Sequence, residues 1–185
     1  IAHGDGDGIR VLSGSFNDLG GNLIYDNSGL GIDLGTDGPD GNDNDPLFDG
    51  NSSANRGQNH PVLSLARRRV ASPFVFVDIE GSLRSTRGSY RIELYRSDSC
   101  HASGYGEGRE LLDSMRLELD CAFVGPDSQC NRSFSRTLLG GGLALGDAVT
   151  AIAISAGNHT SEFSACVSVG TEIIDLPALF ADGFE

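Results

Sequence analysis

The sequence has 185 residues, enough for one large domain or two small ones with a buried core. Its 26 acidic and 13 basic residues give a formal net charge of -13, and a protein this acidic repels nucleic acids and anionic membranes. The 26 glycines, the short apolar runs between Asn, Asp and Ser, and the lack of helical apolar spacing exclude a helical bundle and predict an all-β protein. No apolar run is long enough to span a bilayer, so membrane insertion is not expected.

Residues 1–36 contain the short apolar runs IRVL, NLIY and GIDL, separated by Gly, Asn and Asp. Runs separated by about a dozen residues predict the sides of a parallel β-helix, and a meander of hairpins is the alternative. At most two coils fit, whereas a solenoid needs about three repeats to bury its core. We therefore expect this segment to stack on further coils, on the following domain or on another molecule. Asn17, Asn22 and Asn27 stand where turn asparagines would form a ladder.

Residues 37–59 form an acidic stretch with little to bury. Calcium prefers six to eight oxygen ligands, which flexible Asp and Asn loops supply. The spacing is not that of an EF-hand, and a solvated loop is the alternative interpretation. The predicted calcium ligands are Asp37, Asp40, Asp43, Asp45 and Asp49. Of these, Asp40, Asp43 and Asp45 are favoured.

Residues 60–170 are predicted to form an immunoglobulin-like β-sandwich, because they contain seven runs that mostly alternate apolar and polar residues. The sixth run is apolar on both faces and is predicted to be buried on both. The fourth run could instead be a short helix. The seven predicted strands are residues 61–66, 74–83, 89–96, 110–119, 133–139, 147–155 and 162–169.

Residues 171–185 form a C-terminal tail that alternates between apolar and acidic residues. Pro177 interrupts any regular element in it. We expect this tail to be docked rather than free, through the apolar side chains Ile173, Leu176, Leu179 and Phe180.

The four cysteines have no CxxC spacing and no paired His ligands, so a zinc site is not expected. An even number of cysteines in a turn-rich chain predicts two disulfides and an oxidising compartment. Of the three possible pairings we favour Cys121–Cys130, which closes a short polar loop, with Cys100–Cys166, which closes a long one. Free buried thiols are the alternative.

Signals for an enzyme are weak. The sequence has no GxSxG motif and no phosphate-binding loop with its lysine. His101 and Glu107 could form a catalytic dyad, but a structural loop at SGYGEG is the favoured interpretation. We therefore expect a protein without catalytic residues.

Four segments, NLIYDNSGLGIDLG, QNHPVL, SDSCHASGYGEGRELL and AVTAIAISAGNHTSEFSACVSV, follow one another in this order. Together they resemble the C-terminal part of large bacterial secreted proteins with right-handed parallel β-helix repeats, including those with a CSLREA-type domain. The resemblance covers nearly the whole chain and implies a short right-handed β-helix remnant, a following sandwich and an extracellular or cell-surface location. It implies no catalytic activity. The β-helix is almost entirely absent here, and Cys121 and Cys130 look like an added loop.

These observations predict a non-enzymatic extracellular structural or surface protein. The chain begins at Ile1 rather than Met, which indicates a removed leader or a piece of a longer chain. An open β-helix edge could pair with the tail of a second copy and so build a homopolymeric filament. The alternatives are a glycan- or ligand-binding adhesin module and a fragment of a β-helix polysaccharide-active enzyme.

Overall fold

The computed structural model describes residues 1–35, 38–43, 54–121, 129–139 and 142–174. In these ranges the chain contains strands and one short 3-10 helix, Ala54–Gly57, but no α-helix, which confirms the predicted all-β class. None of the described residues belongs to a helix with the length and apolar character needed to cross a bilayer. The strands are β1 Ile9–Val11, β2 Ile32–Leu34, β3 Val62–Ala71, β4 Phe74–Thr86, β5 Gly88–Ser97, β6 Glu110–Leu119, β7 Gln129–Leu139, β8 Ala148–Ser155, β9 Val167–Ser168 and β10 Gly170–Ile174.

Two four-stranded sheets make up most of the described fold. The first has the strand order β10-β3-β4-β7 and the second has the order β6-β5-β8-β9. Within these two sheets, all pairs of neighbouring strands are antiparallel except β10 and β3, which run parallel. The predicted fourth strand is β6, so the alternative of a helix over residues 110–119 is wrong.

One apolar core is shared by the two sheets. Because successive side chains of a strand point to opposite faces, β5 contributes Tyr90, Ile92 and Leu94 to this core, as the alternation predicted. Ile79 and Leu83 of β4 pack into the same core from the other sheet. Burying each such aliphatic side chain stabilises the fold by about 2 kcal/mol.

Residues 1–35 form two stacked layers, which we call the outer coil (residues 1–23) and the inner coil (residues 24–35). Ala2 pairs in parallel with Tyr25, and β1 pairs in parallel with β2 at the same spacing. Contacts between the coils join residues 23 positions apart. The constant spacing means that residues 2–11 of the outer coil each have a defined counterpart in the inner coil.

Strand β8 is buried on both faces, as the sequence predicted. Val149, Ala151 and Ala153 belong to the core shared by the two sheets. Ile152 and Ile154 belong to a second core, formed against the coils. The other fully buried members of this second core are Ile24, Ile32, Leu34, Ala54, Tyr95 and Phe163.

The predicted asparagine ladder is wrong. Asn17 stacks on Asn55, whose Oδ1 accepts the Asn17 backbone N–H and Nδ2 at 3.0 and 2.9 Å. Asn22 is exposed and donates only locally, to the carbonyl of Leu19. Asn17 and Asn55 lie 38 positions apart rather than the 23 found elsewhere between the coils, so the acidic stretch adds 15 residues.

The seventh predicted strand is also wrong over most of its length, because only Val167–Ser168 is a strand. The residues before it still bond to β8, but at every third position. Ser161 and Ser164 donate their backbone N–H groups to the carbonyls of Ala153 and Ala151, and their hydroxyl oxygens accept the N–H groups of the same two alanines. The serine hydroxyl oxygens thus accept N–H groups that backbone carbonyls would accept in a regular pair of strands.

The beginning of the predicted tail is part of the first sheet. Gly170–Ile174 forms β10 and pairs with β3 of the same chain. Residues 175–185, which include Leu176, Leu179 and Phe180, lie outside the described residues.

Both favoured disulfides are present. Cys100–Cys166 joins the loop after β5 to the segment before β9, with a sequence separation of 66 residues. Cys121–Cys130 has a separation of 9 residues and follows β6. None of the four cysteines is free.

The two disulfides are predicted to contribute unequally to stability. In the chain-entropy model a longer closed loop restricts the unfolded chain more, so Cys100→Ala/Cys166→Ala should lower the free energy of unfolding by about 4 kcal/mol and Cys121→Ala/Cys130→Ala by about 3 kcal/mol. Urea unfolding of the three oxidised proteins measures the difference. Equal losses, or a larger loss for the short loop, would contradict this ranking.

Candidate functional site

The outer coil presents a strand edge. β1 pairs with β2 on one side, and no strand in the described ranges lies on its other side. Ile9 and Val11 of β1 are partly exposed, whereas their partners Ile32 and Leu34 are only 2% and 5% exposed. Leu12 follows at 66% exposure. The outer coil therefore covers the inner coil, and none of the described strands covers the outer coil in the same way.

On the opposite side, the coils rest on buried glutamates. Three glutamates of the sandwich region are 7% exposed or less, namely Glu93, Glu107 and Glu162. Each accepts a backbone N–H from the coils at 2.8–3.0 Å, the pairs being Gly21 to Glu93, Asn27 to Glu107 and Leu34 to Glu162. A charged acceptor makes a stronger bond than a neutral one, so these side chains take the place of a further strand.

Glu162 accepts a backbone N–H at each of its two carboxylate oxygens. Its Oε1 accepts the N–H of Leu34 and its Oε2 accepts the N–H of Asp40, both at 2.8 Å. Burial raises the pKa of Glu162 to about 7, even though these two N–H groups favour the charged form. The carboxylates of Asp40 and Asp33 add to the increase.

A charged ladder joins the two coils. The parallel register places Arg10 of β1 opposite Asp33 of β2, and the Arg10 Nε donates to Asp33 at 2.8 Å. The same guanidinium also contacts Asp7. Burial raises the pKa of Asp33, and the bond from Arg10 opposes that increase. Removing Arg10 would leave a buried carboxylate without its cation, which is costly.

Glu93 is also the centre of a polar network on β5. It accepts the Tyr95 hydroxyl at 2.6 Å and the Arg91 Nε at 2.9 Å. Burial, with Glu93 nearby, raises the pKa of Tyr95 well above its usual range, so this hydroxyl remains a donor. Arg91 continues outward to Asp18 of the outer coil at 2.8 Å.

The predicted calcium ligands are only partly described. Asp40 is held through its backbone by Glu162, and Asp43 exchanges two hydrogen bonds with the side chain of Asn59 at 3.1 and 3.2 Å. Among the residues with described positions, no group of three or more His, Cys, Asp or Glu could hold a metal ion. The remaining predicted ligands lie outside the described residues, namely Asp37, Asp45 and Asp49. Calcium binding stays a prediction from the sequence.

His101 and Glu107, the candidate dyad, bond to different partners. The His101 Nδ1 lies 2.9 Å from the Ser103 hydroxyl. The Glu107 Oε1 accepts both the backbone N–H and the Nδ2 of Asn27, at 3.0 and 2.9 Å. Glu107 therefore holds the inner coil in place.

Sequence reasoning did not single out Glu162 or Asn55. Asn55 is fully buried, and besides accepting from Asn17 it donates to the carbonyls of Asn17 and Thr160. It has a φ of 45°, a left-handed conformation that Asn tolerates better than most residues. The residues next to them in sequence do not reveal their roles, because each bonds to a partner more than 100 positions away.

No protein-family model matches this chain, and no curated protein matches its sequence.

Glu162 is predicted to make stability depend on pH. Because its folded-state pKa of about 7 lies above the usual value of 4.5, the folded protein retains a proton that the unfolded chain releases between these values. Stability should therefore fall as the pH rises through this window, by about 3 kcal/mol in total. Urea unfolding near pH 5 and near pH 8 measures the fall.

The matched variant is Glu162→Gln, which cannot titrate and should lose less stability than wild type over the same interval. Glu80→Gln controls for the loss of one carboxylate at an exposed position of β4. An identical pH dependence in wild type and Glu162→Gln would show that this carboxyl group is not the cause.

Proposed function

We propose that the chain is a non-enzymatic structural protein of the bacterial cell surface or extracellular space. In this proposal residues 1–36 are the final coils of a right-handed parallel β-helix, and residues 60–170 form an immunoglobulin-like sandwich that ends it. The parallel pairing at a constant 23-residue spacing supports the first part. The core shared by two four-stranded sheets supports the second.

One observation carries the proposal, namely the difference between the two sides of the coils. On the inner side, buried glutamates and Thr160 accept backbone N–H groups. On the outer side, β1 has an edge without a neighbour among the described residues and apolar side chains that are only partly covered. A stack of coils needs a special terminal layer at each end. Here one end has such a layer and the other is suited to receive another coil.

The outer edge is therefore proposed to act by strand addition. An added strand would pair with the free backbone groups of β1 and cover Ile9, Val11 and Leu12. When a second copy supplies the strand, a contact between unlike surfaces repeats and extends into a filament. Because Gly170–Ile174 is already paired with β3, the proposal relies on the coil edge rather than on this part of the tail.

An oxidising location is supported by the two disulfides, since such bonds persist outside the cytosol.

The proposal predicts concentration-dependent association through the outer coil. Leu12→Lys places a charge at an exposed apolar position beside β1, and charged edges oppose strand pairing. We expect it to weaken association about ten-fold or more. Leu145→Lys is the control, because Leu145 is similarly exposed, at 54% against 66%, but lies before β8.

Sedimentation velocity and negative-stain electron microscopy over a range of concentrations provide the measurement. Association in wild type and Leu145→Lys, with a loss in Leu12→Lys, is the expected result. A wild-type protein that stays monomeric at the highest attainable concentration would overturn strand addition between copies.

A further inference from the structure

A polar pocket lies where the 3-10 helix meets the end of β8. It has a volume of about 80 Å³, and its lining includes Asp43, Arg56, Gln58, Asn59, Ser155 and His159. A cavity of this size accepts a substituent of a few non-hydrogen atoms rather than a whole ring. Its walls belong to both the acidic stretch and the sandwich region, and they offer hydrogen-bond donors and acceptors together.

An exposed aromatic ring stands beside this pocket. Phe16 is 64% exposed, and its ring centroid lies 5.0 Å from that of His159 and 5.8 Å from the Arg56 guanidinium carbon. Phe16 has a φ of 70°, which is a clear outlier for a bulky side chain. The backbone therefore holds a large apolar ring in water, in a conformation that such residues rarely adopt.

Unusual backbone geometry is concentrated around the pocket. Six non-glycine residues in the described ranges have a positive φ. One of them, Arg56, lines the pocket. Asn55 and Asn158 directly precede the lining residues Arg56 and His159, and Phe16 lies against His159. Such conformations persist only where the surroundings impose them, and they cluster at ligand-binding positions.

Arg56 brings a positive charge to the pocket, whose lining also includes the acidic residue Asp43. Most of the described arginines form ion pairs, as Arg10 does with Asp33, but Arg56 has no ion-pair partner among the described residues. It is also exposed. A planar guanidinium matches a carboxylate with two parallel hydrogen bonds. Burial, followed by the charge of Arg56, lowers the pKa of His159, so the imidazole is a neutral polar neighbour.

We propose that this pocket binds a carboxylated saccharide unit, such as a uronic acid residue of an acidic polysaccharide. The sugar ring lies against the exposed face of Phe16, and its carboxylate is held by Arg56. A hydroxyl substituent enters the pocket, where amide and hydroxyl groups bond it. An aromatic wall with a few polar groups fixed around it is the usual composition of small-ligand sites. The proposal does not depend on strand addition at the outer coil.

Binding is tested by calorimetric titration of the full chain with an oligogalacturonate and with the neutral galactose oligomer of equal length. Saturable binding of the oligogalacturonate at millimolar concentration, and binding of the neutral oligomer at least about ten-fold weaker, is expected. Absence of oligogalacturonate binding would overturn the proposal. Equal binding of both oligomers would overturn its carboxylate part and with it the role of Arg56.

Two variants locate the site. Phe16→Ala and Arg56→Gln should each weaken oligogalacturonate binding about ten-fold or more. Phe74→Ala and Arg132→Gln are matched controls, because Phe74 is 55% exposed and Arg132 is an exposed arginine of β7. Phe16→Tyr keeps the ring and should retain binding, which separates loss of the stacking surface from loss of the fold. Equal binding by Phe16→Ala and wild type would place the ligand elsewhere.

Discussion

The fold depends on one requirement, which is that β8 must be covered on both faces. Val149, Ala151 and Ala153 face one apolar core, and Ile152 and Ile154 face another. A sheet of a two-layer sandwich normally has one face in water, so β8 could not occupy a central position in such a fold without an additional layer. The coils supply this layer, and the remaining features of residues 1–35 follow from how they are held against β8.

Covering a sheet with irregular chain creates a hydrogen-bonding problem, since buried backbone N–H groups without acceptors destabilise a fold. The backbone groups of the second sheet bond within that sheet, so its face offers few of them to the coils. Ile24 forms a backbone pair with Gly108, just before β6, and long side chains also bridge the gap. Glu93, Glu107 and Glu162 each extend from the sandwich region to an N–H of the coils. These three carboxyl groups are therefore buried. Burial disfavours the charged form, and for Glu162 this raises the pKa.

The sequence predicted the parts of this fold that depend on local alternation. β5 has apolar residues at alternate positions, and β8 has them at nearly every position. The sequence predicted correctly which face of β5 is buried, and that both faces of β8 are buried. The sequence did not predict what covers the second face. Glu93 alternates with Ile92 and Leu94 as a solvent-facing residue would, and the local sequence does not show that the distant Gly21 covers it and donates to it. The segment before β9 was wrongly predicted to be a strand. The hydroxyl oxygens of Ser161 and Ser164 accept backbone N–H groups of β8, and this bonding does not follow the periodicity of a strand. The sequence also did not predict the close packing of the SGYGEG segment. Gly108 lies so close to the Tyr95 ring that a Cβ at this position would clash with it.

The 15 additional residues of the acidic stretch leave and rejoin the coils between two fixed positions. Leu34 is held by Glu162 before the stretch, and Asn55 is held by Asn17 and Thr160 after it. The entropy of closing a loop grows only slowly with its length. Both anchors lie outside residues 44–53, so a change in the length of that segment would leave the bonds of Leu34 and Asn55 in place. The segment is therefore a place where an engineer could insert a foreign peptide for display.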